Sequence, residues 1–240
     1  MNLEVTGIFA ALLLAGAVQG AAGFGFGLVA IALLSSVIEI KDASIILVLG
    51  SLSMNIFIFW RLRRHFHFDR VWPMMLSTLV GVPLGVWFLV KADPELLRRV
   101  LGVVLLLSVA QSFVPRVGKK RWHPFYLGVP CGVFSGALSG AFATGGPPVV
   151  VYVSKQGFDR FRYVATLQVV LGTSALARIL CLGVSGLFVR RLVFLSVGGI
   201  VCGVTGAWLG LMVLKRIPEK AMKITIFVLL VLLGIRYLVT

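Results

Sequence analysis

Charged side chains are scarce in this chain. They make up 13% of its 240 residues, whereas hydrophobic residues make up 59% and the mean hydropathy is +1.04. Soluble domains are about half apolar and about a quarter charged, so this composition excludes an ordinary soluble protein. The apolar residues form long runs separated by short basic stretches, as in a polytopic membrane protein. The net charge of +15 comes from those stretches, and membrane orientation explains it better than nucleic-acid binding.

Acidic residues are scarcer still, and all eight lie at the ends of apolar segments or in loops. A proton relay inside a membrane needs buried Asp or Glu, so the sequence offers no candidate for one. Intramembrane hydrolysis would need a Ser/His pair, two buried Asp or a metal cluster, and no apolar segment supplies any of these. We therefore expect neither an enzyme nor a bound cofactor.

The three cysteines, Cys131, Cys181 and Cys202, all fall inside apolar segments without CxxC or Cys/His spacing. This pattern argues against a disulfide framework and against a metal site, and we interpret them as small buried hydrophobic residues. The stretch from Met1 to Gly7 contains Glu4 and no basic residue, unlike a secretory signal, so we expect it to be retained.

The apolar runs predict an all-α membrane protein with eight hydrophobic segments. These lie near residues 7–38, 43–60, 71–90, 97–114, 125–153, 163–185, 192–214 and 221–239. Six of them have the length of one crossing, about 20 residues. The first and the fifth are too long, because about 30 helical residues would reach ~45 Å.

Each long segment contains a block of small residues. The first block, GAVQG followed by GFGFG, occupies residues 16–27, and the second, GALSG followed by TGGPP, occupies residues 136–148. Broken backbone at membrane depth is tolerated only where protein or a watery cavity satisfies it. Two such breaks, one in each half of the chain, are typical of transporters built from internal repeats.

The two halves also match outside these blocks. VLGS at 48–51 corresponds to VLGT at 170–173, and GVPLG at 81–85 corresponds to GAWLG at 206–210. The sequence thus predicts two transmembrane repeats joined by a basic linker. Their bounds are 1–115 for the first repeat, 116–124 for the linker and 125–240 for the second repeat.

Loop charge distinguishes broken helices that cross the membrane from re-entrant hairpins. With eight plain crossings, the two sides carry 10 and 11 basic residues; with both long segments re-entrant, they carry 6 and 15. Cytoplasmic loops are enriched in Lys and Arg, so the hairpin arrangement is favoured and makes the repeats inverted, with both termini outside. The cytoplasmic loops would be 61–70, 116–121, 155–162 and 215–223.

A hairpin would bring the N-terminus of a half-helix to the membrane interior, where its unpaired N–H groups and positive pole form an anion site. Thr144 could cap the second half-helix, and Arg178 is the one basic residue well inside an apolar segment away from the chain end. Plainer interpretations remain: the glycines permit close helix packing, the polar side chains bond between helices, and Arg178 extends to the interface. The predicted substrate-binding residues are Gln19, Gly23, Gly25, Gly27, Ser51, Asn55, Ser139, Thr144, Gly145, Gly146, Pro147, Thr173 and Arg178.

The pairing of GAVQGAAGFGFG with GALSGAFATGGPPVV, each followed by a helix with LGS or LGT, resembles the TauE/SafE family of sulfite and sulfoacetate exporters. The resemblance covers essentially the whole chain. It implies export of a small, often sulfur-containing anion across a prokaryotic inner membrane, which we expect to occur by alternating access between the repeats. An anion channel or facilitator, and an importer of a small organic anion, remain alternatives. The expected partners are the anion and the lipid bilayer, with no nucleic acid, and a homo-oligomer is left open.

Overall fold

The protein is all-helical in the part described by its computed structural model, which covers residues 3–22, 25–68, 71–112, 124–187, 190–213 and 219–239. This part contains ten α-helices and no strand, which confirms the predicted all-α class. The helices are α1 (Leu3–Ala22), α2 (Phe26–Leu34), α3 (Ile40–Leu62), α4 (Trp72–Lys91), α5 (Pro94–Ser112), α6 (Val129–Phe142), α7 (Gly146–Ser154), α8 (Arg160–Val184), α9 (Arg190–Val213) and α10 (Glu219–Val239). A 3₁₀ turn (Arg63–His65) extends α3, and a π-helical turn (Pro124–Gly128) precedes α6.

Five helices in the described ranges are long and apolar enough to cross a bilayer. They are Ile40–His65, Trp72–Lys91, Pro124–Phe142, Phe161–Val184 and Leu192–Gly210; the stretches Val5–Gly20 and Phe227–Val239 are shorter apolar helices. The chain is therefore a multi-pass membrane protein. The arrangement of eight segments in two repeats remains a prediction.

Each of the two long apolar segments forms a long helix followed by a short one. In the first, α1 has 20 residues and α2 has 9; in the second, α6 has 14 and α7 has 9. Gly25 directly precedes α2 with φ of 108°, a conformation that glycine adopts readily. The second break instead has Ala143 in the left-handed region at φ of 60°, which is uncommon for a residue with a side chain.

Helix α7 runs back along α6. The Tyr152 ring on α7 lies 3.3 Å from the position that a Cβ atom on Gly128 would occupy. A continuous helix would separate these two residues by about 36 Å. At the turn itself, the Ser135 hydroxyl donates a 2.7 Å hydrogen bond to the Gly145 carbonyl. The second long segment is thus a helical hairpin.

Glycine faces join helices from different halves of the chain. Gly136 on α6 packs against the backbone of Thr78 and Gly81 on α4. Helix α1 packs in the same way on α9, where Gly206 lies against the backbone of Leu13 and Ala17. Residues without large side chains allow membrane helices to approach this closely. Residue numbers increase together along each pair, so the helices of each pair run in the same direction.

Candidate functional site

A partly open cavity lies where the two helix breaks meet. Its volume is about 40 Å³, counted as space for the centres of water molecules, which is room for a few waters or one small ion. Residues from α1, α2, α3, α6, α7 and α8 and from the second break line it. They are Gln19, Gly25, Phe26, Gly27, Leu28, Ser51, Asn55, Ser139, Ala143, Thr144, Gly146, Leu171, Ser174, Ala175 and Arg178.

The first turn of α2 faces the second break directly. Gly27 packs so closely on the Ala143 carbonyl group that a Cβ atom at position 27 would overlap the carbonyl oxygen. The Phe26 N–H group donates to Gln19 Oε1 at 3.1 Å. The N–H groups of Gly27 and Leu28 remain as the donors that a helix leaves unpaired in its first turn. The positive pole of α2 therefore points to the cavity.

Helix α7 begins at the same cavity with fewer hydrogen-bond donors. Gly146 is its first residue, and the following Pro147 and Pro148 carry no N–H group. The predicted Thr144 cap is wrong: the N-cap is Gly145, which makes no side-chain cap, and Thr144 Oγ1 points to the Leu138 carbonyl at 3.5 Å. The left-handed backbone conformation of Ala143 directs Thr144 back towards α6. What this pole presents to the cavity is its dipole and the Gly146 N–H group.

Arg178 is fully buried, with 1% of its surface exposed, and it lines the cavity. Its Nε donates to the Gly140 carbonyl at 3.0 Å, and its Nη2 donates to the Ser44 carbonyl at 3.0 Å and to the Ser44 hydroxyl. Nη1 is buried without a hydrogen-bond partner in the described part of the chain. The side chain does not extend to the interface, so the alternative of snorkelling is wrong for this residue.

Two helix faces complete the walls of the cavity. On α3, Ser51 and Asn55 stand one turn apart, and Asn55 is 5% exposed. On α8, Leu171 and Ala175 occupy a similar pair of positions, beside Ser174. The Ser139 hydroxyl of α6 donates to Ser174 Oγ at 3.1 Å and ties α6 to α8. The α3 wall is thus polar, whereas the α8 wall combines apolar Leu171 and Ala175 with polar Ser174 and Arg178.

Most of the predicted site residues line this cavity, but three of them do not. Gly145 is buried against Ser135 and Ser139. The Pro147 carbonyl accepts a 2.7 Å hydrogen bond from Gln111 Nε2, on the side away from the cavity. Thr173 Oγ1 donates to the Val169 carbonyl of its own helix at 2.8 Å. Gly23 lies outside the described residues. The nine that line the cavity are Gln19, Gly25, Gly27, Ser51, Asn55, Ser139, Thr144, Gly146 and Arg178.

Sequence reasoning missed the residue that holds Arg178. Ser44 accepts from Arg178, and its own hydroxyl donates to the Ala141 carbonyl at 2.6 Å. The spacing 44, 51, 55 places this serine on the same helical face as Ser51 and Asn55, and that pattern could have identified it. The apolar wall residues Phe26, Leu28, Ala143, Leu171 and Ala175 were also missed, and their types carry no signal of a site.

The described ranges hold no group of three His, Cys, Asp or Glu side chains placed to bind a metal ion. Together, the apolar helices, the hairpin and the buried cation beside two helix N-termini define a multi-pass membrane protein with an internal cavity that holds a positive charge.

The family described as sulfite exporter TauE/SafE matches residues 8–237, nearly the whole chain. The chain belongs to this family, which consists of transporters rather than enzymes. No curated protein and no solved structure matches it significantly.

Proposed function

We propose that this protein transports a small sulfite-type oxyanion, which binds in the cavity between the two helix breaks. The observation that carries the proposal is Arg178: a fully buried cation whose Nη1 has no partner, beside the N-termini of α2 and α7. A charge buried in a membrane protein is costly and generally marks a substrate or ion path. The family match supports the same class of substrate.

The electrostatics of the cavity favour an anion. The first turns of α2 and α7 each contribute about half a positive charge, and Arg178 contributes a full one. Gln19 has its Oε1 occupied by the Phe26 N–H group, which leaves its amide N–H₂ as a donor for a ligand. The volume of about 40 Å³ suits an inorganic oxyanion better than an extended organic acid.

The proposed mechanism is alternating access between two inverted repeats. Packing supports it: α1 with α9, and α4 with α6, form two similar glycine-lined pairs. Helices α3 and α8, one from each proposed repeat, both contribute walls of the cavity. Saturable flux in liposomes would support a carrier, whereas flux proportional to the applied voltage would indicate a channel.

The proposed orientation follows from which loops lie together. Lys41 at the start of α3 donates to the Val90 carbonyl at the end of α4, at 3.2 Å. At the other end of the molecule, the His65 ring stacks 5.1 Å from Phe161, and Trp72 contacts Phe125 at 5.3 Å between ring centroids. The loops that contain His65 and Phe161 thus lie on the same side, as they do only in the re-entrant arrangement. That arrangement places 15 basic residues on one side and 6 on the other. We therefore assign the richer side to the cytoplasm.

Replacing Arg178 tests the proposed site. Arg178→Gln keeps a donor for Gly140 or Ser44 but removes the charge, so sulfite binding should weaken at least about tenfold, since hydrogen bonds to charged groups contribute about 1.5–3 kcal/mol. Titration calorimetry on the purified protein measures the affinity. Arg99→Gln is the matched control, because Arg99 is exposed on α5 and pairs with Glu95. Equal sulfite affinity in both variants would place the site elsewhere.

A further inference from the structure

We infer that the protein is an anion exchanger: the loaded carrier reorients readily, and the carrier without an anion reorients slowly. The inference rests on the proposed anion site and concerns what happens when that site holds nothing. It follows from how Arg178 is partnered within the protein.

Every partner of Arg178 in the described part of the chain is a neutral group. Nε bonds to the Gly140 carbonyl, and Nη2 bonds to the carbonyl and hydroxyl of Ser44. These contacts satisfy two of the three guanidinium nitrogens without neutralising the charge. The third, Nη1, is both buried and unpartnered. The protein thus fixes the position of this cation and leaves its neutralisation to a ligand.

The partial charges at the ends of nearby helices do not neutralise Arg178. Gly140 and Ala141 lie in the last turn of α6, whose carbonyl groups offer about half a negative charge. The N-terminal turns of α2 and α7 oppose it with about half a positive charge each. Without a ligand, the cavity therefore keeps a net positive charge of about one or more.

This charge has a kinetic consequence for a carrier. When the cavity faces water on either side of the membrane, solvent and counterions surround Arg178. Reorientation must pass through a closed state in which the cavity is shut off from bulk water, and an uncompensated cation is costly there. A bound anion neutralises Arg178 during this step. Transport in one direction should therefore require an anion for the return.

Counterflow in proteoliposomes tests the inference. Purified protein is reconstituted into vesicles loaded either with unlabelled sulfite or with gluconate, an extended organic anion that a site for an inorganic oxyanion should not carry. Chloride is omitted, and valinomycin with equal potassium on both sides clamps the voltage, so that charge build-up does not limit net uptake. Initial uptake of radiolabelled sulfite is then measured under anaerobic conditions.

We expect uptake into sulfite-loaded vesicles to exceed uptake into gluconate-loaded vesicles at least about tenfold, as expected when an uncompensated arginine must be carried through the membrane interior. Equal initial rates would overturn exchange while leaving the anion site intact. Absence of uptake in both vesicle types, with protein that is folded by its thermal transition, would overturn both exchange and the proposed transport.

Two variants test whether the charge of Arg178 causes the difference between the two uptake rates. In Arg178→Gln the empty cavity loses its full positive charge, so the ratio of the two rates should fall towards one even if overall transport slows. Arg99→Gln should keep the wild-type ratio. A wild-type ratio in Arg178→Gln would show that something other than this cation couples the two directions, and it would overturn the inference.

Discussion

Arg178 has one role that its contacts show and a second that we propose, and the two act through different atoms. Its Nε and Nη2 bond to the Gly140 carbonyl and to Ser44 and so tie α8 to α6 and α3. Its Nη1 has no partner in the described chain and is the atom that a bound oxyanion would satisfy. In the proposed site, Arg178 would therefore couple occupancy of the cavity to the relative positions of three helices.

Gly27 is the residue at which the two breaks touch. In Gly27→Ala the new Cβ atom would overlap the Ala143 carbonyl oxygen, and backbone cannot yield as a flexible side chain can. We expect overpacking of about 1–3 kcal/mol, a lower melting temperature in detergent and loss of sulfite transport. Thermal unfolding and vesicle uptake measure these effects.

Gly7→Ala is the matched control for this prediction, because no atom of another residue lies within 4 Å of a Cβ atom at position 7. It should behave as the wild type. Normal transport and stability in Gly27→Ala would contradict the close contact between the breaks.

The sequence predicted which polar residues belong to the site better than it predicted which positions of each helix face the cavity. Gln19, Asn55 and Arg178 are polar residues inside apolar segments, and each lines the cavity. The match of VLGS with VLGT paired Ser51 with Thr173, but Thr173 does not line the cavity, and the α8 residues that do are Leu171, Ser174, Ala175 and Arg178. Packing between helices, rather than sequence identity between the two halves, decides which positions of α8 face the cavity.

At the scale of elements, excess length and glycine content located both breaks in the sequence. Spans of about 30 apolar residues cannot be one crossing, and Gly25 takes the left-handed conformation that its lack of a side chain permits. The local chemistry of the second break was not predictable. Ala143, rather than either following glycine, adopts positive φ, since the contacts of Gly27 and Ser135 fix the chain there.

The two glycine-lined helix pairs should be equally sensitive to added bulk. A Cβ atom on Gly136 would overlap the Thr78 carbonyl of α4, and one on Gly206 would overlap the Leu13 carbonyl of α1. We expect Gly136→Ala and Gly206→Ala each to destabilise the protein by about 1–3 kcal/mol. Thermal unfolding of the purified protein measures the loss.

Gly172→Ala is the control on a third helix, because its nearest neighbour is Asn55 Cβ at an ordinary 3.7 Å. Its unfolding temperature should be unchanged or higher, since replacing a helical glycine by alanine contributes up to about 1 kcal/mol. If all three variants melted alike, the glycines would not set the spacing of these pairs.

At the scale of the whole molecule, composition alone identified the class. A mean hydropathy of +1.04 and the spacing of the apolar runs leave no alternative to a helical membrane protein. The partners of each helix could not be predicted, because small residues allow close approach to any helix that presents a similar face. The pairing of α1 with α9 and of α4 with α6 required the structure.

The proposed orientation predicts which loops are accessible from outside the cell. Ser36 is exposed between α2 and α3, and His67 is exposed after α3, at the opposite end of the molecule. In a background lacking Cys131, Cys181 and Cys202, Ser36→Cys should react with an impermeant maleimide in intact cells. His67→Cys should react only after permeabilisation, because it belongs to the basic side. The reverse pattern would invert the assignment.

The pairing of α1 with α9 can form only late in the synthesis of the chain. Leu13 and Ala17 leave the ribosome early, whereas Gly206, which packs on them, follows nearly two hundred residues later. The glycine face of α1 therefore remains without its partner helix until α9 has been synthesised and inserted, when the chain is almost complete.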